Sequence, residues 1–423
     1  MTNTILAAIL VIVVVTLILV ALLLFIKTKL TPSGTVKIDI NDGKKVLDVP
    51  QGGSLLNTLA EQKIFLPSAC GGKGNCGQCK CQVLEGGGSI LPTEVGFFTR
   101  KQIADNWRLG CQVKVKDNLK IQVPDSALSV KKLECEVISN KNVATFIKEF
   151  TVRLPEGENI EFKSGEYIQI DIPEYDVSFA DMDVDPIYRG DWEKYGFFDL
   201  KHKNTVPTIR AYSMASYPAE KNVIKLNVRI ATPAFDRSQP KGVFKMLPVP
   251  PGIASTYVFS RKPGDKVWIS GPYGEFLLPK DDPDRQEYIF VGGGAGMAPL
   301  RSHIMHLFKT LKTKKEVHFF YGARALVEAF YLEDFAEIEK EFPNFHFHLA
   351  LDRPDPAADA AGVKYTAGFV HNVMNETYLK NHEAPEDIKY FMCGPPMMVS
   401  SVVNLLDSLG VAPESILYDN FGG

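Results

Sequence analysis

The chain contains the stretch Cys70-Gly71-Gly72-Lys73-Gly74-Asn75-Cys76-Gly77-Gln78-Cys79, with three cysteines and four glycines in ten residues. Apart from the thiols it has no apolar side chain, so it cannot be organised around a hydrophobic core of its own. Thiolates are soft ligands that hold zinc or iron–sulfur clusters, and glycine lets the backbone turn its N–H groups toward such a centre. The stretch therefore predicts a loop wrapped around an inorganic centre.

A fourth cysteine, Cys111, follows downstream after Trp107-Arg108-Leu109-Gly110. Zinc sites usually show two short, separated cysteine pairs, whereas here three cysteines share one loop and the fourth is distant. This spacing favours a [2Fe–2S] cluster; a disulfide-stapled loop and a zinc knuckle are the alternatives. The predicted ligands are Cys70, Cys76, Cys79 and Cys111. Cys81 is expected to be a buried neighbour, because a set of four is already complete.

Composition excludes several classes of protein. The 423 residues suffice for about three domains, and 45% hydrophobic with 23% charged residues is typical of a globular chain. A formal net charge of −3 argues against nucleic acid as a partner. Five of the seven cysteines fall between Cys70 and Cys111, which indicates a metal centre and a reducing cytoplasm rather than a secreted disulfide framework.

The N-terminal segment Ile5–Ile26 is apolar except for Thr16. As a helix its 22 residues would span about 33 Å, enough to cross a bilayer. A cleaved signal peptide is the alternative, but no Lys or Arg precedes the run. Lys27 and Lys29 follow it, so the positive-inside rule places the rest of the chain in the cytoplasm. Without an ionisable residue, the helix cannot conduct ions by itself.

Residues 31–130 predict a small β-rich domain. Val36–Ile40 alternates as a strand does, Asn41-Asp42-Gly43 is a hairpin turn signal, and a helix is expected after a cap at Ser54. Strand, turn, strand, helix and cysteine loop predict a β-grasp fold, and the segment resembles plant-type [2Fe–2S] ferredoxin domains. One departure is the gap of five residues between Cys70 and Cys76, where the plant-type pattern has four.

Residues 131–285 predict an antiparallel β-barrel. Its strands are expected at Leu133–Ile138, Ile147–Leu154, Tyr167–Ile172 and Ile224–Ile230. Arginine and serine can hold a pyrophosphate and an aromatic side chain can lie along a flavin ring, so Arg210, Tyr212 and Ser213 are candidate FAD residues. Gly252 and Ser255 at a predicted helix start offer a second anion site.

An insertion at 174–206 interrupts the barrel. It is acidic and rich in aromatic residues, and a long loop inside a compact domain is usually functional or disordered. Its aromatic content disfavours disorder. A docking surface for another subunit and a cover over its own barrel remain equal alternatives. The aromatic residues are Tyr188, Trp192, Tyr195, Phe197 and Phe198.

Residues 286–423 predict an α/β NAD-binding domain. The strand Tyr288–Val291 leads into a glycine turn and a helix expected from Arg301, the arrangement that places a helix N-terminus at a pyrophosphate. Further strands are expected at Val317–Tyr321, Phe345–Leu351 and Tyr390–Met392. The candidate NADH residues are Gly292, Gly293, Gly294, Ala295, Gly296, Cys393, Gly394 and Pro395.

The two C-terminal segments resemble the ferredoxin–NADP reductase superfamily. The resemblance implies that Arg210 and Ser213 hold FAD phosphates, that Tyr212 stacks on the isoalloxazine, and that Gly252 and Ser255 support the pyrophosphate. It also implies that Cys393 lies beside the flavin–nicotinamide contact, which makes Cys393 and Tyr212 the candidate catalytic residues. A buried thiol is the alternative for Cys393. Phe421 is a candidate to close the second face of the flavin, with an exposed tail as its alternative.

The order of segments resembles the family of F subunits of bacterial Na⁺-translocating NADH:quinone oxidoreductases. The domains expected are 1–30 (membrane helix), 31–130 (ferredoxin), 131–285 (FAD) and 286–423 (NADH). The resemblance implies electron transfer from NADH through FAD and [2Fe–2S] to other membrane subunits, with quinone reduced indirectly and the chain held at the bacterial inner membrane. The choice of NADH over NADPH rests on the resemblance. Arg324 could bind the 2′-phosphate of NADPH, whereas the acidic residues Glu333 and Asp334 lie near it in sequence. A membrane-tethered oxygenase reductase and a membrane-anchored iron–sulfur scaffold are the alternatives.

Overall fold

The structure is a computed structural model that describes residues 10–22, 34–68, 70–124, 127–128, 130–240, 242–280, 282–283 and 285–419. These residues form two compact units that divide between residues 129 and 130. Of the predicted membrane segment Ile5–Ile26, residues 10–22 are a helix, α1; the remainder, like Phe421, lies outside the described residues. No helix in the described ranges combines the length and the apolar character needed to cross a bilayer.

The first unit contains a five-stranded mixed sheet. Its elements are β1 (Thr35–Ile40), β2 (Lys45–Pro50), α2 (Leu55–Glu61), β3 (Lys80–Glu85), α3 (Pro92–Val95), α4 (Arg100–Ala104), β4 (Trp107–Leu109) and β5 (Leu119–Gln122). The strand order is β2-β1-β5-β3-β4, with β1 and β5 parallel and the other pairs antiparallel. This is the β-grasp arrangement that the sequence predicts.

Local signals explain the first half of this unit. Asn41 and Asp42 both have positive φ, 52° and 53°, as a tight hairpin turn between β1 and β2 requires. Ser54 caps α2 by accepting a hydrogen bond from the Asn57 amide at 3.3 Å. Leu55 and Leu59 of α2 are fully buried against the sheet core. The helix therefore anchors the chain just before the cysteine loop.

The second unit begins with a six-stranded antiparallel barrel. Its strands are β6 (Lys131–Ala144), β7 (Ile147–Arg153), β8 (Tyr167–Ile172), β11 (Thr208–Ser213), β12 (Val223–Arg229) and β13 (Lys266–Tyr273). They are ordered β11-β8-β13-β6-β7-β12, and a bridge between Met214 and Leu226 joins the two ends. Helix α6 (Ile253–Ser260) adds Val258 and Phe259 to the barrel core.

The insertion at 174–206 is ordered and packs on the barrel. It consists of β9 (Tyr175–Ser178), α5 (Pro186–Lys194) and β10 (Lys201–Asn204), with β9 and β10 paired antiparallel. Trp192 is fully buried, and its indole N–H donates to the Thr145 carbonyl at 2.7 Å. Phe197 is buried in the same core as the barrel strands. These two aromatic side chains cover their own barrel, in agreement with the alternative that the insertion is a cover rather than a docking surface.

The second unit ends in a doubly wound parallel sheet. Its elements are β14 (Glu287–Gly293), α7 (Met297–Met305), β15 (Glu316–Ala323), α8 (Leu332–Glu341), β16 (Phe345–Leu351), α9 (Pro356–Ala360), β17 (Thr366–Ala367), α10 (Val370–Thr377), β18 (Lys389–Cys393), α11 (Pro396–Ser408) and β19 (Ile416–Asp419). The order is β17-β16-β15-β14-β18-β19, with every pair parallel. Helix α7 begins at Met297, four residues before the predicted start at Arg301.

Candidate functional site

The cysteine loop gathers four thiols. Cys70 and Cys76 are partly exposed and their sulfurs lie 3.3 Å apart. Cys79 and Cys111 are buried, and their thiols contact each other. The loop and Cys111, two residues after the end of β4, therefore bring together the four cysteines that the sequence singles out.

Each pair of sulfurs shares one proton. Cys76 and Cys79 hold it, and their pKa values are raised, first by the hydrogen bonds to Cys70 and Cys111. The pKa of Cys70 is lowered to about 4, first by the hydrogen bond from the Cys76 thiol and then by backbone amides that include Asn75. The pKa of Cys111 is lowered to about 7, first by Cys79 and further by Gln112. Only the thiolate form binds iron, so a cluster would displace the two shared protons, and four sulfurs grouped in two close pairs fit a [2Fe–2S] cluster.

Glycine is required along this loop. Gly71, Gly72, Gly74 and Gly77 all have positive φ, between 66° and 84°, a region that side chains with a Cβ avoid. A Cβ on Gly77 would also approach Phe97 Cδ1 to 2.4 Å. The loop conformation that points the thiols inward therefore depends on these glycines.

Cys81 lies apart from the four. It is fully buried in the core of the first unit, and burial raises the pKa of its thiol to about 12. A neutral, enclosed thiol is a poor ligand. Its position agrees with the prediction that Cys81 is a buried neighbour.

Sequence reasoning missed a buried ion pair that holds the strand before Cys111. Arg108 Nη2 lies 2.8 Å from Glu94 Oε2, with side-chain exposures of 5% and 0%. Glu94 Oε1 also accepts the Leu109 amide at 2.8 Å, and Arg108 donates to the Gly87 carbonyl at 2.7 Å. In the sequence both charges look like ordinary surface residues, because their partners are distant in the chain.

Strand β11 presents the predicted FAD residues. Arg210 and Tyr212 are half-buried. Arg210 Nη1 donates to Thr208 Oγ1 at 2.8 Å and to the Ile209 carbonyl at 2.7 Å. Burial raises the pKa of Tyr212, which keeps the phenol neutral. One strand thus carries a guanidinium and an aromatic ring two residues apart, on the same face.

The next residue of β11 joins the barrel to the nucleotide sheet. Ser213 Oγ donates to Asp419 Oδ2 at 2.8 Å. Asp419 pairs in register with Cys393, which in turn pairs with Gly292. Cys393 is fully buried, and its pKa is raised by burial and then by Asp419. The predicted residues Ser213, Cys393 and Gly292 therefore meet at the carboxyl edge of the sheet. Asp419 connects them, and sequence reasoning missed this residue.

The second predicted anion site is closed by its own hydrogen bonds. Ser255 is buried, and its hydroxyl accepts the Ala231 amide at 3.0 Å and donates to the Gly252 carbonyl at 3.3 Å. A Cβ on Gly252 would lie 2.7 Å from the Ala231 Cβ. Both residues shape the turn before α6, and the Ser255 hydroxyl is engaged there.

Two glycine turns pack directly on each other at the nucleotide edge. A Cβ on Gly296 would lie 2.0 Å from the Cys393 carbonyl oxygen, and one on Gly394 would lie 3.1 Å from the Gly293 backbone. A Cβ on Gly293 would come within 3.3 Å of Pro395. Residues 292–296 and 393–395, predicted separately, therefore form one surface. Gly294, with φ of 57°, and Ala295 lie at its partly exposed end.

A polar seam links the barrel to the nucleotide sheet. Buried Arg301 reaches Glu220 Oε2 at 3.3 Å and Asp334 Oδ2 at 2.8 Å. Tyr331 donates to Glu149 at 2.5 Å and accepts from Asn227 at 2.8 Å. The Asp334 carboxylate is thus paired with the Arg301 guanidinium.

Arg324 and Glu333, the other two residues that bear on the choice between NADH and NADPH, lie at the surface. Arg324 is exposed just after β15, and Glu333 is exposed in the first turn of α8. Arg324 follows the carboxyl end of its strand, where nucleotides bind in open α/β sheets.

Comparison with known proteins agrees with this geometry. Residues 38–116 match the model of the 2Fe-2S iron-sulfur cluster binding domain. Residues 194–277 match that of the oxidoreductase FAD-binding domain, and residues 290–404 that of the oxidoreductase NAD-binding domain. The fold and the site define an iron–sulfur flavoprotein reductase.

Curated relatives narrow the class. The chain is 51% identical over 404 residues to the F subunit of the Na(+)-translocating NADH-quinone reductase of Pseudomonas aeruginosa strain PAO1, covering 96% of this chain and 95% of the relative. It is 52% identical over 397 residues to the corresponding F subunit of Methylococcus capsulatus strain Bath, covering 94% of each. The chain belongs to the family of F subunits of Na(+)-translocating NADH-quinone reductases.

Solved structures share the fold at lower identity. The crystal structure of an Amycolatopsis cytochrome P450 reductase matches with a TM-score of 0.62 at 23% identity, covering 92% of this chain and 99% of that one. A ferredoxin reductase in carbazole 1,9a-dioxygenase matches with a TM-score of 0.56 at 21% identity, with the same coverage. At these identities the likeness concerns the fold alone.

Proposed function

We propose that this chain is the NADH-oxidising, electron-entry subunit of a membrane-bound Na⁺-translocating NADH:quinone oxidoreductase. The observation that carries the proposal is the carboxyl edge where Ser213, Asp419 and Cys393 meet, in a chain that also gathers four cysteines from the loop 70–79 and Cys111. When bound, FAD accepts a hydride from NADH and releases single electrons, which a [2Fe–2S] cluster accepts one at a time. Proposed domain bounds are 31–130, 131–285 and 286–423.

The protein residues bind and orient the reactants. Arg210 and Ser213 would hold FAD phosphates, and Tyr212 would lie along its ring, with Gly252 supporting the turn beside it. The joined glycine turns would admit the NADH pyrophosphate, because their lack of Cβ atoms leaves backbone N–H groups open to an anion. Buried Cys393 stays a neutral thiol and would exclude water beside the nicotinamide. Phe421 remains a candidate cover for the flavin.

The cysteine loop would present the cluster near the protein surface. Cys70, Cys76, Cys79 and Cys111 are its proposed ligands, and the partial exposure of the first two leaves one side of the loop accessible. Electrons would leave through a partner subunit of the same membrane complex, with quinone reduced further on.

Attachment to the bacterial inner membrane is part of the proposal. Helix α1 leaves its apolar side chains exposed, with Leu10 at 65% and Ile12 at 65%. Such a surface needs a lipid or protein partner. Deleting residues 1–30 should move the chain from the membrane fraction to the soluble fraction while NADH oxidation persists. A deletion variant that stays in the membrane fraction would refute this attachment.

Spectroscopy of the purified full-length chain tests the electron path. Adding NADH should bleach the flavin absorbance and produce a rhombic [2Fe–2S] EPR signal. In Cys76→Ser, flavin bleaching should remain and the EPR signal should vanish. Reduction by NADPH but not NADH would contradict the proposed substrate and favour an oxygenase-type reductase. Purified protein that contains the cluster without FAD would instead favour a scaffold.

A further inference from the structure

A histidine cluster lies at the opposite end of the nucleotide sheet from the proposed NADH edge. Glu316 and His318 open β15, and His346 is on the neighbouring strand β16, paired in register with His318. Strand register therefore places both imidazoles on one face of the sheet, near the amino ends of the strands. Neither the electron path nor the cofactor sites use these residues.

We propose that Glu316, His318 and His346 form a binding site for a transition-metal cation, with Zn²⁺ as the best-fitting ion. Their ligand atoms, two imidazole nitrogens and a carboxylate oxygen, all lie within 4.8 Å of one another. Two histidines and one carboxylate form a common zinc ligand set, which a water completes.

The individual distances suit this ion. His318 Nε2 lies 3.6 Å from Glu316 Oε1, beyond hydrogen-bond range. Two ligands bound to a tetrahedral zinc at about 2.1 Å are separated by roughly 3.4 Å. His346 Nε2 lies 2.6 Å from the same oxygen, a hydrogen bond that the metal would replace by drawing the two atoms apart.

A second histidine orients the buried ligand. His318 Nδ1 lies 3.0 Å from His348 Nε2. When His318 donates this hydrogen bond, its Nε2 carries the lone pair that faces Glu316. Metal-bound histidines are usually held this way, through their other ring nitrogen. Tyr378 packs on the His318 ring with centroids 4.0 Å apart and restricts its rotation.

Charge and access also favour a cation. The His318 side chain is 7% exposed, and burial favours the neutral imidazole, which is the form that binds a metal. Glu316 and His346 have side-chain exposures of 42% and 39%. An ion could therefore enter from solvent and keep a water ligand, and the carboxylate would offset part of its charge.

Zinc titration of the full-length chain tests the site. The protein is loaded with its iron–sulfur cluster, purified with a histidine-free tag and freed of loose metal by a chelating resin. ZnCl₂ is then titrated against a colour-forming chelator, and iron is counted alongside to show that the cluster cysteines stay occupied. We expect one zinc ion per chain in addition to the cluster iron.

Variants locate the ion. Glu316→Gln and His346→Gln change partly exposed side chains, so the fold should survive, and each should weaken zinc binding by about 10–100-fold or more. His371→Gln, at a half-buried histidine of the same domain outside the cluster, should bind zinc as the unaltered chain does. No zinc bound by the unaltered chain, or equal binding by all three variants, would overturn the proposal. Unchanged NADH oxidation in the two ligand variants would show that the domain remains folded.

Discussion

Ser213 on the last position of β11 donates a 2.8 Å hydrogen bond to Asp419 on the last position of β19. The two residues are 206 positions apart in the chain, and they join the barrel to the carboxyl edge of the nucleotide sheet. Burial raises the pKa of Asp419, while the Ser213 hydroxyl acts to lower it. The protonation state of this carboxyl group therefore depends on the hydroxyl.

Ser213→Ala should move the acid limb of NADH oxidation to higher pH, because Asp419 lies beside Cys393 and its carboxylate would stabilise the positive charge that nicotinamide gains as it loses a hydride. Loss of the donated hydrogen bond removes a group that favours the carboxylate, so the pKa of Asp419 rises further. The measurement is kcat/KM for NADH against pH with ferricyanide as acceptor. The double variant Ser213→Ala with Asp419→Asn should show no such shift, because the titrating group is gone. Identical profiles for the unaltered chain and Ser213→Ala would contradict the expectation.

Asp419→Asn should not destabilise the protein at neutral pH. Because the folded pKa lies above the ordinary value of 3.8, the folded state binds more protons between the two values, and stability falls as pH rises through that window. Above this pH window, burying the charged carboxylate destabilises the folded state, and the neutral amide of Asn removes that penalty. The amide oxygen can still accept the hydrogen bond from Ser213. Thermal unfolding at pH 7 and pH 4 should show a larger advantage for Asn at pH 7.

Cys81→Ala should retain the iron–sulfur cluster, whereas Cys76→Ala should lose it. Cys81 is fully buried, with a pKa raised to about 12, while the Cys76 sulfur lies 3.3 Å from that of Cys70. Iron content and the EPR signal of the NADH-reduced protein report the difference. Cluster loss in Cys81→Ala, with the FAD spectrum unchanged, would place Cys81 among the ligands.

Gly296→Ala should abolish most NADH oxidation. The new Cβ would lie 2.0 Å from the Cys393 carbonyl oxygen, so the two glycine turns must separate, and a displacement of about 1 Å near reacting groups can cost on the order of 100-fold. Bound FAD should remain. Gly190→Ala is the matched control, because a Cβ there meets nothing within 4 Å and alanine favours the helix that contains it. Equal rates in both variants would show that the turns tolerate separation.

Lys148→Met should stabilise the barrel. Lys148 is buried, and burial lowers its pKa to about 8. The unfolded chain binds the extra proton between pH 8 and 10.5, so the cost of burying this amine is full below pH 8 and declines as pH rises through that range. Denaturant unfolding followed by Trp fluorescence should show a gain of roughly 1–3 kcal/mol at pH 7 and a smaller one at pH 10.

The control for this effect is an exposed lysine on the same unit, Lys203. Lys203→Met should leave the free energy of unfolding nearly unchanged at both pH values, as surface substitutions usually do. Asp183 is the carboxylate whose charge acts on Lys148. It is exposed, so it stays solvated when the lysine is removed. A gain at Lys148 that does not depend on pH would indicate better packing rather than relief of a buried amine.

Sequence patterns predict the elements whose signals are local. The strands expected at Tyr167–Ile172 and Phe345–Leu351 occur with those bounds, because apolar residues alternate with polar ones in both stretches, the period of a strand. The cysteine spacing likewise predicts the loop that gathers the four thiols. The hairpin turn at Asn41 and the cap at Ser54 depend on neighbouring residues and were also predictable.

The remainder depends on contacts between distant residues. Strand β4 has three residues, too few for a periodic pattern. Asp419 reads as a polar residue near the end of the chain, and its role emerges only when β19 pairs with β18 beside Cys393. The two strands of the insertion have no short hairpin turn between them to mark them in the sequence, because β9 pairs with β10 across most of its length.

The seam around Arg301 and Tyr331 also bears on how such chains can be recombined. Three of their partners, Glu220, Glu149 and Asn227, belong to the barrel segment, so a gene that exchanged the nucleotide-binding half alone would leave buried polar groups facing mismatched neighbours. A crossover between residues 129 and 130 would transfer both sides of the seam together. We therefore expect recombined chains to fold when barrel and nucleotide sheet stay together and the cysteine-bearing unit is exchanged.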